Sequence, residues 1–182
     1  MTDRPPVAVG IADLADRLGR PAFVAVCVDL LRGAPRERYV DELRGLTGHD
    51  WQPGDGVLDH DVWKDYWVRT WGARGLLHVW DPDDPDATDA VVAGLGDEHH
   101  RPAEMCLKVV ARHDVAGAGD GAAALAGHAL PRVRAQAMRA LAVVGDTEHA
   151  DVVRAGLDDP APEVRRQAGR AWEAMAARLD LD

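Results

Sequence analysis

The sequence predicts an all-α solenoid of helical pairs, preceded by an irregular N-terminal helical cap. One observation is an internal repeat with an offset of about 31 residues, a period typical of stacked helical pairs. A second is that each copy places apolar residues at i, i+4, i+7, i+8 and i+11, which is one face of a helix. The repeated positions are Val133, Ala137, Ala140, Leu141 and Val144, then Val164, Ala168, Ala171, Trp172 and Met175. Because one helical pair cannot bury such a face alone, we expect neighbours to stack on it and to bury Leu141 and Trp172.

Three short helices are predicted before the repeats, over residues 11–18, 23–31 and 36–46. Each has apolar residues at helical spacing, and glycine and proline residues mark their ends. None of them follows the 31-residue pattern. We therefore predict an N-terminal cap, or alternatively a degenerate repeat, over residues 1–60, and helical repeats over residues 61–182, in one continuous domain.

Two stretches of this N-terminal part are predicted to be irregular. Residues 1–9 form a loose lead-in, and residues 47–61, rich in glycine and proline, form a loop. The helix that follows, over residues 61–80, is expected to be the longest in the chain, with Asp61 as its N-cap.

The repeat extends backwards from its two clearest copies. Residues 73–81 align with 106–114 at an offset of 33, and residues 106–110 align with 137–141 at an offset of 31. This predicts four inner helices, over residues 61–80, 101–113, 131–144 and 161–179. Shorter helices lie between them, separated by turns rich in Asp, Gly and Pro, over residues 86–95, 119–127 and 147–157.

Composition limits the classes of function. The net charge is −10, which argues against an overall grip on nucleic acid, because phosphate binding depends on clustered Lys and Arg. The sequence contains no serine, so no Ser nucleophile exists. Cys27 and Cys106 lie in apolar helical patterns and are expected to be buried thiols. No signal-peptide layout and no apolar run of about 18 residues is present, so we expect a cytoplasmic protein without a membrane segment.

The motif over residues 157–168, Leu-Asp-Asp-Pro-Ala-Pro-Glu-Val-Arg-Arg-Gln-Ala, resembles HEAT repeats, in particular the group of phycobilisome-lyase-like HEAT repeats. In such repeats an Asp ends the first helix and a Val-Arg pair opens the second. The resemblance implies an α-solenoid in which the Asp and Arg form a hydrogen-bonded ladder between neighbouring repeats. Asp159 and Arg165 fit that pattern.

The other repeats match this motif only in part. The middle repeat keeps Arg134 but has His128 where the Asp belongs, and the earlier one keeps Asp97 but has Ala103 where the Arg belongs. The implied ladder is therefore incomplete. A repeat motif of this kind specifies architecture well and function poorly.

An aromatic stripe lies on the predicted helix 61–80. Trp63, Trp67, Trp71, Arg74 and His78 fall within an arc of roughly 80°, to one side of the expected core face. Either the N-terminal helices cover this stripe, or it forms a groove for an apolar or aromatic partner. HEAT-like DNA glycosylases use tryptophans to grip a nucleotide, but residues 61–100 hold nine acidic and three basic side chains, which disfavours DNA.

Two histidine clusters offer ligands for a metal ion, His99 and His100 beside Asp97 and Glu98, and His60 between Asp59 and Asp61. Neither has the i, i+4 spacing of a preformed helical pair of ligands, so no metal site is predicted. No phosphate-binding loop motif is present either, and we predict no cofactor.

Arginines recur at equivalent repeat positions. Arg134 corresponds to Arg165, and Arg139 to Arg170, each at an offset of 31, with Arg166 beside them. Equivalent positions in stacked helices form a row, and a row of arginines suits an acidic peptide or a phosphate. The alternative is a surface lattice of salt bridges with the many acidic side chains.

The function that these patterns favour is a non-enzymatic binding module or scaffold, with a protein or an acidic peptide as its partner. The alternative is an enzyme of the HEAT-like class, either a DNA base-excision glycosylase or a lyase-type cofactor handler. An acid poised beside two exposed tryptophans would favour the enzyme. No catalytic residue is predicted. The predicted partner-binding residues are Trp67, Trp71, Arg74, His78, Arg134, Arg139, Arg165 and Arg170.

Overall fold

The computed structural model describes residues 6–49, 51 and 56–181, and these residues form α-helices without any β-strand. The prediction of an all-α fold is confirmed. The helices are α1 (Val7–Leu18), α2 (Arg20–Leu31), α3 (Val40–Thr47), α4 (Asp65–His78), α5 (Pro85–Gly94), α6 (His100–His113), α7 (Gly119–Leu125), α8 (Pro131–Val144), α9 (Ala150–Gly156) and α10 (Pro162–Leu179). Short 3-10 turns span Arg36–Arg38, Gly56–Leu58 and Thr147–His149. None of the described helices has the length and apolar character needed to cross a membrane.

The chain divides into two compact units, an N-terminal unit over Met1–Ala90 and a C-terminal unit over Val91–Asp182. Helix α4, which the sequence grouped with the repeats, packs against α2 and lies in the N-terminal unit. Each unit has its own buried apolar side chains and is described by itself below.

The N-terminal unit is centred on the pair α2 and α4. Helix α2 is apolar around most of its circumference and buries six side chains. It approaches α4 closely because α4 presents glycines there: a Cβ on Gly72 would stand 2.6 Å from the Cys27 carbonyl oxygen, and one on Gly75 would stand 2.3 Å from Cys27 Sγ. Cys27 is therefore a buried free thiol, as predicted, and so is Cys106 in the other unit.

The start of α4 differs from the prediction. The helix begins at Asp65 with Lys64 as its N-cap, so Asp61 is not the cap and Trp63 precedes the helix. The side chain of Asp59 accepts from the backbone N–H of Asp61 and closes a separate turn there. Helix α4 has 14 residues, and the longest described helix is α10 with 18.

The irregular segments also differ from expectation. Helix α1 already begins at Val7, so the predicted lead-in over residues 1–9 is shorter, and its residues 1–5 lie outside the described part. The predicted loop over residues 47–61 falls partly outside it as well, at residues 50 and 52–55. Its described part contains the 3-10 turn Gly56–Leu58, whose Val57 is buried.

The C-terminal unit follows the repeat. Helix α8 packs against both α6 and α10, while α7 lies on α8 and α9 lies on α10. The stripe of α8 is buried as predicted at Val133, Ala137, Ala140 and Leu141, whereas Val144 at its end is half-buried. The stripe of α10 is buried at Val164, Ala168, Ala171 and Met175.

Trp172 departs from that pattern, because it is half-exposed rather than buried. The guanidinium carbon of Arg154 lies 4.3 Å from the centroid of its ring. Leu141, the equivalent residue on α8, is buried, and α8 packs against both α6 and α10.

Candidate binding surfaces

Three turns that open the long helices of the C-terminal unit share one local structure. In each, a side chain accepts the backbone N–H two residues further on: Asp97 from His99, His128 from Leu130, and Asp159 from Ala161. The second of these is made by Nδ1 of a histidine. His128 therefore accepts the same backbone hydrogen bond as the Asp that the repeat motif has at this position.

Arg134 links two successive helical pairs. Its Nε and Nη2 donate to the two carboxylate oxygens of Asp159 at 2.7 and 2.8 Å, and its Nη1 donates to the carbonyls of His128 and Ala129 at 2.9 and 3.1 Å. The hydrogen bonds from Arg134 hold the pKa of Asp159 below its usual value, and those to Asp159 raise the pKa of Arg134. This arginine is committed to a structural contact.

The long helices of the C-terminal unit are basic and the rest of the unit is acidic. Helices α6, α8 and α10 hold ten Lys and Arg against three Asp and Glu, and α8 holds no acidic residue at all. The remainder of residues 91–182 holds one Arg against eleven acidic residues. This separation exists within a chain whose net charge is −10.

Five cations of these helices form what we call the basic face: the exposed Arg132, Arg139, Arg166 and Arg170 and the half-buried Lys108. Arg132 and Arg139 lie two turns apart on the exposed strip of α8, and an offset of 31 carries Arg139 onto Lys108 and Arg170. Glu104 on α6 connects this helix to α8, because its carboxylate pairs with Arg132 at 3.0 Å and with Lys108 at 3.2 Å.

The other cations of the basic face have no acidic partner. Within the described residues, Arg139, Arg166 and Arg170 form no ion pair, and Arg139 donates only to the amide oxygen of Gln136 at 2.9 Å. The predicted residues Arg139 and Arg170 therefore come together on one exposed face. Arg134 and Arg165 lie on a different side of their helices, as their spacing along each helix requires.

Sequence reasoning missed Lys108 and Arg132 as members of this face. The signal for Lys108 was present, since one more step of 31 residues back from Arg139 reaches it. The sequence also did not predict the buried polar residues Gln136 and Gln167. They occupy equivalent positions of α8 and α10, and each is only 5% exposed. Arg132 became recognisable only through its contact with Glu104 on the neighbouring helix.

The tryptophan cluster of the N-terminal unit consists of Trp51, Trp63, Trp67 and Trp71. The ring of Trp63 lies 5.5 Å from that of Trp51, 6.3 Å from Trp67 and 5.4 Å from Trp71, centroid to centroid. Trp51 and Trp71 are 6% and 3% exposed, whereas Trp63 and Trp67 are half-exposed. Trp51 itself is held by Thr47, whose hydroxyl accepts from the indole N–H at 3.2 Å.

These contacts decide how far the stripe is open. The segment that carries Trp51 packs against Trp63, so part of the stripe is covered from within the N-terminal unit. Trp71, which we expected to reach an open surface, is buried, and Trp67 is the helical tryptophan that remains accessible.

Arg74 and His78 continue this side of α4 towards its end. Arg74 is half-buried, burial lowers its pKa, and it forms no hydrogen bond or ion pair within the described residues. His78 is the last residue of α4 and is exposed.

A buried guanidinium fixes the chain before α4. Arg36 is 2% exposed and donates to the carbonyls of Val57 and Trp63 and to the carboxylate of Asp65. Burial raises the pKa of Asp65, but the hydrogen bonds from Arg36 and His60 outweigh it and the pKa is lowered. Because the Trp63 carbonyl is held by Arg36, this network also places the Trp63 ring in the tryptophan cluster.

One group of residues has the composition of a metal site. Ligand atoms of Asp120, Glu148 and His149 lie within 4.8 Å of one another. However, His149 Nδ1 accepts the backbone N–H of Asp146 at 2.9 Å, which places the proton of a neutral imidazole on Nε2. That atom faces Asp120 at 3.2 Å and has no lone pair to offer a cation. The contact is a structural hydrogen bond between α7 and the 3-10 turn Thr147–His149.

Comparison with known proteins adds no identification. No protein family model matches the sequence, and neither the curated proteins nor the solved structures give a significant match. The resemblance to HEAT repeats therefore stays a prediction.

Proposed function

We propose that this chain is a non-enzymatic helical binding module that holds an acidic segment of another protein on its basic face. In this proposal the C-terminal unit is a short HEAT-like array. The contact of Arg134 with Asp159 between successive helical pairs supports that assignment, as do the three equivalent turns at Asp97, His128 and Asp159.

The separation of charge carries the proposal. A lattice of surface salt bridges would pair the cations with acids. Glu104 pairs in this way with Arg132 and Lys108, but α8 holds no acidic residue, and Arg139, Arg166 and Arg170 form no ion pair within the described residues. Arginine is suited to this role because its planar guanidinium binds a carboxylate through two parallel hydrogen bonds.

The spacing of the rows favours an extended peptide. Packed helices lie about 8–10 Å apart, so Lys108, Arg139 and Arg170 recur at about that interval across α6, α8 and α10. A chain in the polyproline II conformation advances about 3.1 Å per residue with three residues per turn, which brings every third side chain to the same side at about that interval. A peptide with an acidic residue at every third position therefore matches the rows.

Nucleic acid is the less suitable ligand. The N-terminal unit holds 17 acidic and ten basic residues over positions 1–90, so its field repels a long phosphate backbone. A short acidic peptide carries far fewer negative charges than a long phosphate backbone, so it meets less of this repulsion.

The experiment measures fluorescence anisotropy with three labelled probes: an extended peptide with Glu at every third position, the same peptide with Gln, and single-stranded DNA of equal length. We expect binding of the Glu peptide alone, weakened by salt. Replacing Arg139, Arg166 and Arg170 by Gln should reduce the affinity by about tenfold or more, if each exposed pair contributes up to about 1 kcal/mol.

The matched control replaces three exposed arginines of the N-terminal unit, Arg17, Arg20 and Arg38, by Gln, which removes the same charge. That variant should keep the affinity within a factor of about two if the contact is local. An equal loss of affinity in the two variants would show that binding depends on net charge and not on the basic face. Preferential binding of DNA would contradict the choice of an acidic peptide as the partner.

A further inference from the structure

The side of α10 that faces away from α8 repeats a surface that is occupied one repeat earlier. On α8 that surface includes Arg134, which binds Asp159, and Met138 and Leu141, which are 1% and 0% exposed. Met138 reaches the next helical pair, since a Cβ on Gly156 would stand 3.0 Å from its terminal methyl. The offset of 31 maps these three positions onto Arg165, Gly169 and Trp172.

The equivalent positions on α10 are open, and we call them the α10 flank. Arg165 is exposed, and a Cβ on Gly169 would meet nothing within 4 Å. Trp172 is half-exposed under the guanidinium of Arg154. One large, half-exposed aromatic ring therefore lies one helical turn from a glycine whose Cβ position is open space.

Arg165 is already oriented as Arg134 is. Its Nη1 donates to the carbonyls of Asp159 and Pro160 at 2.7 and 3.0 Å, which are the equivalents of the two carbonyls that Arg134 binds. In Arg134 the remaining donors, Nε and Nη2, take both oxygens of a carboxylate. In Arg165 those two donors have no partner within the described residues.

We infer that the α10 flank docks a helical pair of a partner protein whose inter-helix turn carries an aspartate. That aspartate binds Nε and Nη2 of Arg165 as Asp159 binds Arg134, and the partner's helices cover Gly169 and Trp172. A second copy meeting through α10 is disfavoured, because α10 carries four arginines and two glutamates, and two such helices repel. This site is separate from the basic face and goes beyond the function proposed above.

An extended chain tests the inference with a defined probe, the protein's own helical pair. Residues 145–182 are repeated after Met175, which places the copied aspartate 25 positions after Arg165, the separation of Asp159 from Arg134. Gly169→Cys supplies a reporter thiol in both the natural and the extended chain. Cys27 and Cys106 are buried, and burial raises the pKa of each thiol, so neither competes for a thiol reagent.

We expect the reporter to react as an exposed thiol in the natural chain and about tenfold or more slowly in the extended chain, because the docked pair must open first. Arg165→Gln in the extended chain should restore fast reaction. Arg166→Gln, which removes an equal charge from the basic face, should not.

Three results would overturn the inference. The first is an equally fast reaction in the extended chain. The second is an added pair that stays unfolded by circular dichroism, because so short a pair folds only on a surface that receives it. The third is a natural chain that is dimeric by light scattering and already protects the reporter, which would assign the flank to a second copy.

Discussion

The two units pack their helices by different means. In the C-terminal unit, aliphatic side chains at repeated positions fill the space between α8 and α10, and Arg134 with Asp159 ties the pairs together. In the N-terminal unit, α2 and α4 approach through Gly72 and Gly75, where side chains are missing.

The difference shows what kinds of contact a linear pattern can encode. A stripe of apolar residues is visible along one helix, because each member has the same spacing and the same environment. A close approach depends on the absence of a Cβ at one place and on what another helix puts there. The repeat of the C-terminal unit can therefore be recognised in the sequence, whereas the close packing of α2 and α4 in the N-terminal unit cannot.

The largest expected effect concerns Leu141 and its equivalent, Trp172. Leu141→Ala should reduce the free energy of unfolding by about 2–5 kcal/mol, because it opens a cavity between packed helices. Trp172→Ala should cost less, about 1–2 kcal/mol, since its ring is half-exposed and loses mainly partial burial and the Arg154 contact. Urea unfolding followed by circular dichroism measures both. Equal costs would mean that Trp172 is as buried as Leu141.

The two units also make opposite predictions for a glycine replaced by alanine within a helix. Gly72→Ala should destabilise the protein by about 1–3 kcal/mol, because its Cβ would meet the backbone of α2 at 2.6 and 2.7 Å. Gly169→Ala should stabilise it by about 0.5–1 kcal/mol, because nothing obstructs the Cβ and alanine favours the helix. Thermal unfolding of both variants gives the signs. If Gly72→Ala stabilised the protein instead, α2 and α4 would not be packed closely at Gly72, and this difference between the two units would not exist.

The smallest effect concerns the pH dependence of the contact between Arg134 and Asp159. The pKa of Asp159 is lower in the folded chain than in the unfolded one, chiefly through the hydrogen bonds from Arg134. Its stabilisation is therefore present above the unfolded value of about 3.9 and is lost as the pH falls through the folded pKa. Asp159→Asn should cost about 1–2 kcal/mol near neutral pH and progressively less below about pH 4.

Asp158→Asn is the control for that measurement, because Asp158 is the exposed neighbour and shows no such contact. Its cost in urea unfolding should be near zero, since the exposed carboxylate makes no such contact. A cost of Asp159→Asn that stays constant between neutral and acid pH would show that the charge of the pair contributes nothing.

The sequence by itself determined the helical class, the repeat and most of the helices. The residue range predicted for α8, 131–144, is the observed one, and Cys27 and Cys106 are buried as expected. These features depend on local periodicity, which each segment carries independently of its neighbours.

Only the tertiary structure decided which side chains are available. Arg134 and Arg165 are identical in the repeat, yet one is held by Asp159 and the other keeps two free donors within the described residues. Trp71 is buried although it shares a helix face with the half-exposed Trp67, and the Trp63 ring, which comes from outside the helix, lies against both. Periodicity assigns a residue to a face of its own helix, whereas its partners come from elements that lie elsewhere in the sequence.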